Sequence, residues 1–263
     1  MKEINTLEEI KEIELSIMKE IHTFCEKNNL KYYLAYGTLI GAVRHSGFIP
    51  WDDDIDVWMF RDDYETFKKS FPKYGEKKGL YIAGKDTTPF YPRNMLKVCD
   101  GRTVLYEEMF QKQDTIGVFV DIWPLDGVSD HVLVRKVSNF FFRVFKKILT
   151  NGVTKKEYST KSITSCLFSL LFKIIGIRNT LDFPDNIAKN VNRKSKYVEC
   201  YAATPFFLNR IDYNEQILMK FQDSMFYVPK GYDRLLTTIY GDYMCLPPKE
   251  LQIPHHIQNV FWK

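Results

Sequence analysis

The stretch PWDDDIDVWM, residues 50–59, places four aspartates directly before and within an apolar alternation. Ile55, Val57 and Met59 alternate with Asp56 and Trp58, which predicts a half-buried β-strand. On an extended chain, Asp52, Asp54 and Asp56 point to the same face, where their carboxylates repel one another. Mg²⁺ or Mn²⁺ would relieve this repulsion, because these hard ions prefer carboxylate oxygens. We therefore favour a metal site over a solvated acidic turn.

A site of this kind usually needs a third carboxylate from a neighbouring strand. In GVFVDIWP, residues 117–124, Asp121 is the one acid in an otherwise apolar run. Asp121 therefore completes a predicted set with Asp54 and Asp56, although a lone acid in a strand can also be a hydrogen-bonded structural group. For Asp126, in the Pro-Leu-Asp-Gly turn that follows, we favour a structural role.

Composition and cysteine usage limit the class of protein. The chain has 263 residues and ordinary globular composition, with a net charge of +4 that is too small to indicate nucleic-acid binding. Its five cysteines are far apart and form no CxxC pair, which fits a reducing compartment. The start, MKEINTLEEIKE, has no apolar signal region, and no apolar run reaches the roughly 20 residues that span a bilayer. We expect a cytoplasmic protein without a nucleic-acid partner.

The order of local patterns indicates a mixed α/β or α+β core. Helical spacing over 6–27 starts with a capping box formed by Thr6 and Glu9. The remaining predicted elements are a strand at 31–36, a short helix ending near Gly47, a helix ending near Phe71, strands at 80–83, 95–99 and 118–123, and a helix near 231–240.

Residues 131–178 differ from the rest of the chain. They contain ten Lys or Arg and a single acid, Glu157, together with six phenylalanines. We interpret this basic, aromatic stretch as a helical insertion. It is a solvated face over a Phe core, a membrane-surface insertion or a nucleic-acid patch, and basic residues beside large apolar ones favour an anionic membrane surface. Its most apolar part, 165–177, is too short to cross a bilayer.

Three motifs carry a family resemblance. The turn Gly37-Thr38, the Asp54-x-Asp56 pair and Asp121 resemble the pattern of the nucleotidyltransferase-like superfamily. More closely, YGTLIGAVRHSGFIPWDDDIDVWMFRDDYETF (36–67), VDIWPLDG (120–127) and YGDYMCLPP (240–248) resemble the LicD family of phosphocholine transferases, which is related to the fukutin-type ribitol-phosphate transferases.

The resemblance implies an α+β fold, with a nucleotidyltransferase-like mixed sheet flanked by helices. Residues 1–130 would form the catalytic core, 131–200 the insertion, and 201–263 a part that completes the fold. It implies Mg-dependent transfer of phosphocholine, or a similar phospho-alcohol, from CDP-choline or a related CDP-alcohol. The acceptor would be a sugar hydroxyl of a cell-surface glycan precursor such as teichoic acid or lipopolysaccharide. A polyprenyl-linked acceptor would require a peripheral position on the inner face of the membrane.

By the same analogy, Asp54 and Asp56 hold the metal on the diphosphate, and Asp121 is a metal ligand or the general base. The alternative is a nucleotidyltransferase that adds a nucleotide to a small molecule, protein or RNA, because the same acids serve that reaction.

Five residues are predicted to bind substrate. The backbone of Gly37 and Thr38 can approach phosphate oxygens, although a plain strand-to-helix turn is the alternative. Arg44 and Lys97 are candidates for phosphate contact, and an ordinary salt bridge is as good an interpretation of either. Asp52 is the fifth. Core packing is the better interpretation of Trp58, which could otherwise stack on cytosine, and His255-His256 are interpreted as solvated.

Overall fold

The computed structural model describes residues 2–4, 6–106, 115–155, 162–190, 194–203, 206–253 and 259–263. His255 and His256 therefore lie outside the described residues. The helices are α1 (Leu7–Asn28), α2 (Tyr36–His45), α3 (Arg61–Glu76), α4 (Val132–Val153), α5 (Ile163–Lys189) and α6 (Tyr232–Tyr240). The strands are β1 (Lys2–Glu3), β2 (Tyr33–Leu34), β3 (Asp56–Phe60), β4 (Leu80–Ala83), β5 (Leu96–Asp100), β6 (Thr103–Leu105), β7 (Phe119–Val128), β8 (Tyr197–Glu199), β9 (Leu208–Asn209), β10 (Gln216–Phe221), β11 (Ser224–Pro229) and β12 (Val260–Trp262).

The main sheet has the strand order β2-β3-β7-β5-β4, and β8 and β9 extend it from the far end of β7. β3 and β7 run parallel, whereas the other pairs are antiparallel. A second sheet has the order β1-β12-β6, and β10 and β11 form a separate hairpin. The predicted α+β fold, a mixed sheet flanked by helices with a helical insertion, is confirmed.

The first helix forms where its sequence predicts it. The hydroxyl of Thr6 accepts a hydrogen bond from the backbone N–H of Glu9, and Asn29 ends the helix in the left-handed conformation with φ 53°. Its apolar stripe is buried against the sheet as part of the main hydrophobic core. α1 thus covers one face of the sheet that carries the aspartates.

Two local predictions need correction. The predicted strand at 31–36 is limited to Tyr33–Leu34, because Tyr36 already begins α2. The alternation predicted from Asp52 onwards begins only at Asp56, and residues 52–55 are irregular. The physical reason is the short neighbour: β2 pairs only with Val57 and Trp58, so no strand runs beside 52–55 on that side. The common face inferred for Asp52, Asp54 and Asp56 therefore does not follow from strand geometry.

The helices α4 and α5 pack against each other as an antiparallel pair. Phe145 of α4 stacks on Phe183 of α5 with ring centroids 4.8 Å apart, while Gly152 of α4 lies against Phe172. A Cβ atom at Gly152 would come within 2.0 Å of the Phe172 ring, so only glycine permits this approach. Gly176 kinks α5 with a φ of 79°. The division of the chain at 130 and 200 stays a prediction.

None of the helices in the described part of the chain is long and apolar enough to cross a bilayer.

Candidate active site

Asp56 and Asp121 lie side by side in the sheet. They are register partners on the parallel strands β3 and β7, and both are buried. Burial, and then the charges of Asp54 and Asp121, raise the pKa of Asp56 well above its usual value. Asp54 and Asp121 are thus the charges that act most strongly on Asp56, but the predicted ligands Asp54, Asp56 and Asp121 do not form a group whose oxygens all lie within 4.8 Å of one another.

The loop before β3 adds a second concentration of charge. Each of Asp52, Asp53 and Asp54 offers an oxygen, and these oxygens lie within 4.8 Å of one another, the only such acidic, His or Cys group among the described residues. Burial, with the charges of Asp54 and Asp53, raises the pKa of Asp52 to about 7. Asp53 is almost fully buried and was not among the predicted site residues.

The first turn of α2 positions these aspartates. A Cβ atom at Gly37 would lie 2.6 Å from Oδ2 of Asp52, so glycine leaves room for that carboxylate. The hydroxyl of Thr38 accepts a hydrogen bond of 2.8 Å from the backbone N–H of Asp56. Gly37 and Thr38, predicted to approach phosphate, thus directly contact the acidic residues.

The carboxylates of the two strand aspartates have specific partners. The indole Nε1 of Trp123 donates to Oδ1 of Asp56 over 2.7 Å. Nζ of Lys97, which is 2% exposed, donates to Oδ1 of Asp121 over 2.7 Å. Lys97 and Asp121 face each other in the register of β5 and β7, so the salt bridge considered for Lys97 is present.

Arg44 lies at the end of α2 and binds the segment 240–248, the third motif of the family resemblance. Its Nη1 donates to the carbonyl oxygens of Tyr243, over 2.6 Å, and Cys245, over 3.2 Å. The segment 240–248 is therefore tied to the helix that positions the aspartates. The guanidinium supports the site's architecture through these contacts, and a phosphate contact for it stays a prediction.

Comparisons with known proteins agree with this geometry. The family model "LicD/FKTN/FKRP, nucleotidyltransferase domain" matches residues 29–150, which include every aspartate described above. The lipopolysaccharide cholinephosphotransferase LicD of Haemophilus influenzae is 33% identical over 269 residues, covering 97% of this chain and 98% of that protein. The chain belongs to the LicD family. The nucleotidyltransferase-like resemblance and the prediction of a LicD-type phosphotransferase are therefore confirmed.

Shorter matches connect this LicD-family chain to other proteins. The ribitol 5-phosphate transferase FKRP of Homo sapiens is 29% identical over 94 residues, which cover 26% of this chain and 18% of that protein. An uncharacterized protein of Rickettsia typhi is 45% identical over 58 residues, covering 22% and 19% of the two chains.

Two residues of α1 also belong to this part of the LicD-family fold. Glu14 is completely buried, and neither carboxyl oxygen has a hydrogen-bond partner among the described residues. Burial, followed by the charges of Asp54 and its neighbours, raises the pKa of Glu14 well above its usual value. Nζ of Lys11 donates to the carbonyl oxygen of Pro50 over 2.9 Å and so supports the loop from below.

Glu14 was not among the predicted site residues, although its position in the sequence indicates burial. Glu14 follows Ile10 by four positions and precedes Ile17 and Ile21 by three and seven, so it occupies the apolar stripe of α1. A carboxyl on a core-facing stripe needs a partner or a function.

A cavity of about 290 Å³ adjoins the site. Trp123, whose indole binds Asp56, forms part of its wall, and Phe142 and Phe145 of α4 form another part. Arg93 and Lys146 add positive charge to the lining. The volume is at the lower end for small-molecule sites, which are about 300–1,000 Å³. The helices α4 and α5 thus line a cavity that is connected to Asp56 through Trp123.

The donor set fits a hard divalent cation. The groups that converge are carboxylates, and burial followed by the charges of neighbouring aspartates raises the pKa of Asp52 and of Asp56. Two lysines of this region have other partners: Nζ of Lys11 donates to backbone carbonyl oxygens, and Nζ of Lys97 donates to Asp121. Oxygen ligands with excess negative charge suit Mg²⁺ or Mn²⁺ better than a metal that prefers thiolate or imidazole.

Proposed function

We infer that this protein transfers a phospho-alcohol, phosphocholine in the first instance, from a CDP-linked donor to a hydroxyl group of a glycan. Asp54 and Asp56 would hold a divalent cation, Mg²⁺ or Mn²⁺, for this reaction, with Asp121 as a third ligand or as the general base. The observation that carries the proposal is the pairing of Asp56 with Asp121 across β3 and β7, beside an acidic loop, in a LicD-family chain.

The chemistry needs in-line attack more than covalent help. The acceptor oxygen attacks the phosphorus that carries the alcohol, and the bond from this phosphorus to the bridging oxygen breaks. CMP leaves with the bridging oxygen, and the hydroxyl proton passes to a base, for which Asp121 is our candidate. A bound divalent cation would neutralise the charge of the diphosphate. Lys97 and Trp123 orient the two strand carboxylates through hydrogen bonds.

The names of the relatives support the substrate classes. A lipopolysaccharide cholinephosphotransferase and a ribitol 5-phosphate transferase share the transfer of a phospho-alcohol. We therefore propose a cell-surface glycan precursor as acceptor, of the lipopolysaccharide or teichoic acid type. The free cysteines are consistent with the cytoplasmic location that the sequence predicts.

The test compares donors directly. Purified protein is incubated with Mg²⁺, a glycan acceptor and one donor each of CDP-choline, CDP-ribitol and CDP-glycerol, and CMP release is measured. We expect release from CDP-choline, and Asp54→Asn should reduce it by about 100-fold or more. Asp223→Asn, at an exposed aspartate that pairs with Lys19, is the matched control and should leave the rate unchanged.

CTP and ATP serve as arms for the alternative reaction. Pyrophosphate release from either nucleotide, with no CMP release from any CDP-alcohol, would show a nucleotidyltransferase instead. Chelation of divalent cations with EDTA should abolish the reaction, and activity that persists in EDTA would contradict the metal assignment.

A further inference from the structure

The α4 helix exposes a continuous apolar stripe. Leu133, Val137 and Phe140 follow one another at i, i+4 and i+7 and are 75%, 47% and 64% exposed. Scattered exposed apolar side chains are normal in proteins, but a stripe on one helix face is an interaction surface.

The first part of α5 repeats the pattern. Ile163, Leu167, Leu170 and Ile174 lie at i, i+4, i+7 and i+11, and each is more than half exposed. The stripe ends at the kink of Gly176, beyond which the helix turns buried side chains toward the core. The kink therefore separates an exposed segment of α5 from an anchored one.

Basic residues flank the apolar stripes. Lys136, Arg143 and Lys147 lie beside the α4 stripe at i, i+7 and i+11, and Lys173 lies beside the α5 stripe. No ion pair involves these four residues within the described part of the chain. The described residues from 131 to 181 include no acid. Each stripe thus has basic residues beside it, and no acid among the described residues from 131 to 181 offsets their charge.

We propose that this surface docks on an anionic lipid bilayer. The docking surface is defined by the two apolar stripes together with Lys136, Arg143, Lys147 and Lys173. Apolar side chains that enter the interface, with basic residues at the level of the head groups, are the pattern of an interfacial amphipathic helix. Anionic head groups supply the negative charge that the four basic residues lack on the protein.

Two other occupants fit less well. In a symmetric dimer through this surface, each copy would present the same positive border to its partner, so like charges would meet. A nucleic acid would neutralise the charge but would leave the large apolar side chains in water, because phosphate contacts supply most of its affinity. A bilayer satisfies both features at once.

Docking in this manner would bring the catalytic site close to the lipid surface. The opposite face of α4 contributes Phe142 and Phe145 to the cavity that Trp123 shares with the aspartates. The cavity would therefore lie about one helix diameter, roughly 10 Å, from the head groups. The docking surface is defined without reference to the reaction, so it can fail while the proposed transfer stands.

The first test is co-sedimentation of the full chain with vesicles. We expect binding to equimolar phosphatidylglycerol and phosphatidylcholine, weak binding to phosphatidylcholine alone, and loss of binding between about 0.05 and 0.5 M NaCl. The triple variant Lys136→Gln, Arg143→Gln, Lys147→Gln should bind about 100-fold more weakly, because each basic residue near an anionic surface contributes about fivefold.

Apolar variants test the other half of the surface. Leu133→Ser with Phe140→Ser should lower vesicle affinity at least tenfold. The matched control is Leu218→Ser with Met225→Ser on the β10–β11 hairpin, where both side chains are similarly exposed. The control should bind as the wild type does, and thermal melts of all variants verify that they are folded.

Two exposed free cysteines allow a second measurement of docking, by fluorescence, in which the residues that define the docking surface are unchanged. Cys166 lies on the exposed part of α5, and Cys245 is exposed elsewhere, while the other three cysteines are buried. An environment-sensitive dye on Cys166, in a Cys245→Ser background, should shift to the blue when vesicles are added. The same dye on Cys245, in a Cys166→Ser background, should not respond.

Three outcomes would overturn the proposal. The first is the absence of binding to anionic vesicles, and the second is binding that neither the basic nor the apolar variants weaken. The third is a dimer in light scattering that Leu133→Ser with Phe140→Ser dissociates, because the surface would then serve self-association.

Discussion

Two groups of buried acids in this protein have different neighbours. One group, the paired acids, consists of Asp126 and Asp185. Arg61 donates to both carboxylate oxygens of Asp126 over 2.8 and 2.6 Å and contacts Asp185 over 3.2 Å. Lys85 and Lys189 contact the other oxygen of Asp185 over 3.0 and 2.9 Å. The second group, the site acids, consists of Asp52, Asp53, Asp54, Asp56 and Asp121, with Glu14 buried beneath them.

The pKa of Asp185 shifts in the opposite direction to those of Asp52 and Asp56, whereas burial raises the pKa of Asp126 even though Arg61 binds it. Burial alone would raise the pKa of Asp185, but the charges of Arg61, Lys189 and Lys85 lower it well below its usual value. Burial and like charges raise the pKa of Asp52 and Asp56 instead. The difference lies in the neighbours: cations surround the first group, whereas other carboxylates surround most of the second.

This difference indicates what each group does. The paired acids connect α3, β7 and α5, so they fix the anchored part of the insertion to the core. The structural role expected for Asp126 agrees with its contacts. The site acids repel one another, which costs stability as functional residues often do, although Lys97 and Trp123 bind two of them. The divalent cation proposed above would offset this repulsion.

The sharpest test of the paired acids is Asp185→Asn. The change leaves Arg61 and two lysines without their shared carboxylate, and breaking a buried ion pair costs about 3–5 kcal/mol of unfolding free energy. Urea denaturation measures the loss. Asp182→Asn is the matched control: its carboxylate is 30% exposed and also pairs with Lys85, so its loss should cost less than about 1 kcal/mol. A similar cost for both variants would contradict the distinction between buried and exposed pairs.

Asp56→Asn should lower activity without lowering stability, whereas Asp185→Asn should lower stability. The variant loses a metal ligand, and we expect kcat/KM to fall by roughly 10²–10³-fold, or about 2.7–4 kcal/mol. Its unfolding free energy without a divalent cation should equal or exceed that of the wild type, because a repelling carboxylate has been removed and Asn can still accept from Trp123. The CMP release assay and urea denaturation check the two halves. A variant that is both inactive and strongly destabilised would place Asp56 among the structural acids.

Parts of the fold and site follow from local sequence. The α1 helix has a capping box and a regular stripe, and β7 is an apolar run with one acid, so both are found without knowledge of their neighbours. The hairpin β10–β11 had a usable signal as well, since two six-residue strands flank the pair Gln222-Asp223. The residue pattern and the family motifs predicted a site at Asp54, Asp56 and Asp121, and that assignment stays a prediction.

Other features depend on long-range contacts that no local pattern contains. The irregular path of 52–55 follows from the length of β2, which lies about twenty residues earlier in the chain. The pairing of Lys97 with Asp121 follows from the register of β5 and β7. Glu14 belongs to the site because α1 packs beneath the aspartate loop, and helical spacing alone does not state which element covers a stripe.

The pH dependence of stability sharpens the comparison further. The pKa of Asp52 is about 7 in the folded protein, and a carboxyl in the unfolded chain titrates near 3.9. Between these values the folded state holds a proton that the unfolded state has lost, so the unfolding free energy falls as pH rises from about 4 to 7. Solvent near this partly exposed group limits the effect to about 1–2 kcal/mol.

Asp52→Asn should remove this part of the pH dependence. The variant and the wild type should be equally stable near pH 4, and the variant should be the more stable protein above about pH 7. Millimolar Mg²⁺ should reduce the difference at high pH, because a bound cation stabilises the ionised wild-type loop. Urea denaturation across the pH range measures both effects. Identical pH profiles for the two proteins would show that Asp52 titrates normally.

The smallest expected effect concerns the hydrogen bond between Trp123, in the cavity wall, and Asp56. Trp123→Phe keeps an aromatic wall but removes the donor to Asp56, and a hydrogen bond to a charged group contributes about 1.5–3 kcal/mol at most. Because solvent can replace part of this contact, we expect kcat/KM to fall about 5- to 20-fold, with little change in stability. Trp262→Phe is the matched control, since that indole donates to Glu9 over 3.0 Å far from the site. Equal effects of the two changes on kcat/KM would mean that the Trp123 indole matters only for packing, and Asp56 would then hold its orientation through Thr38 and the strand register alone.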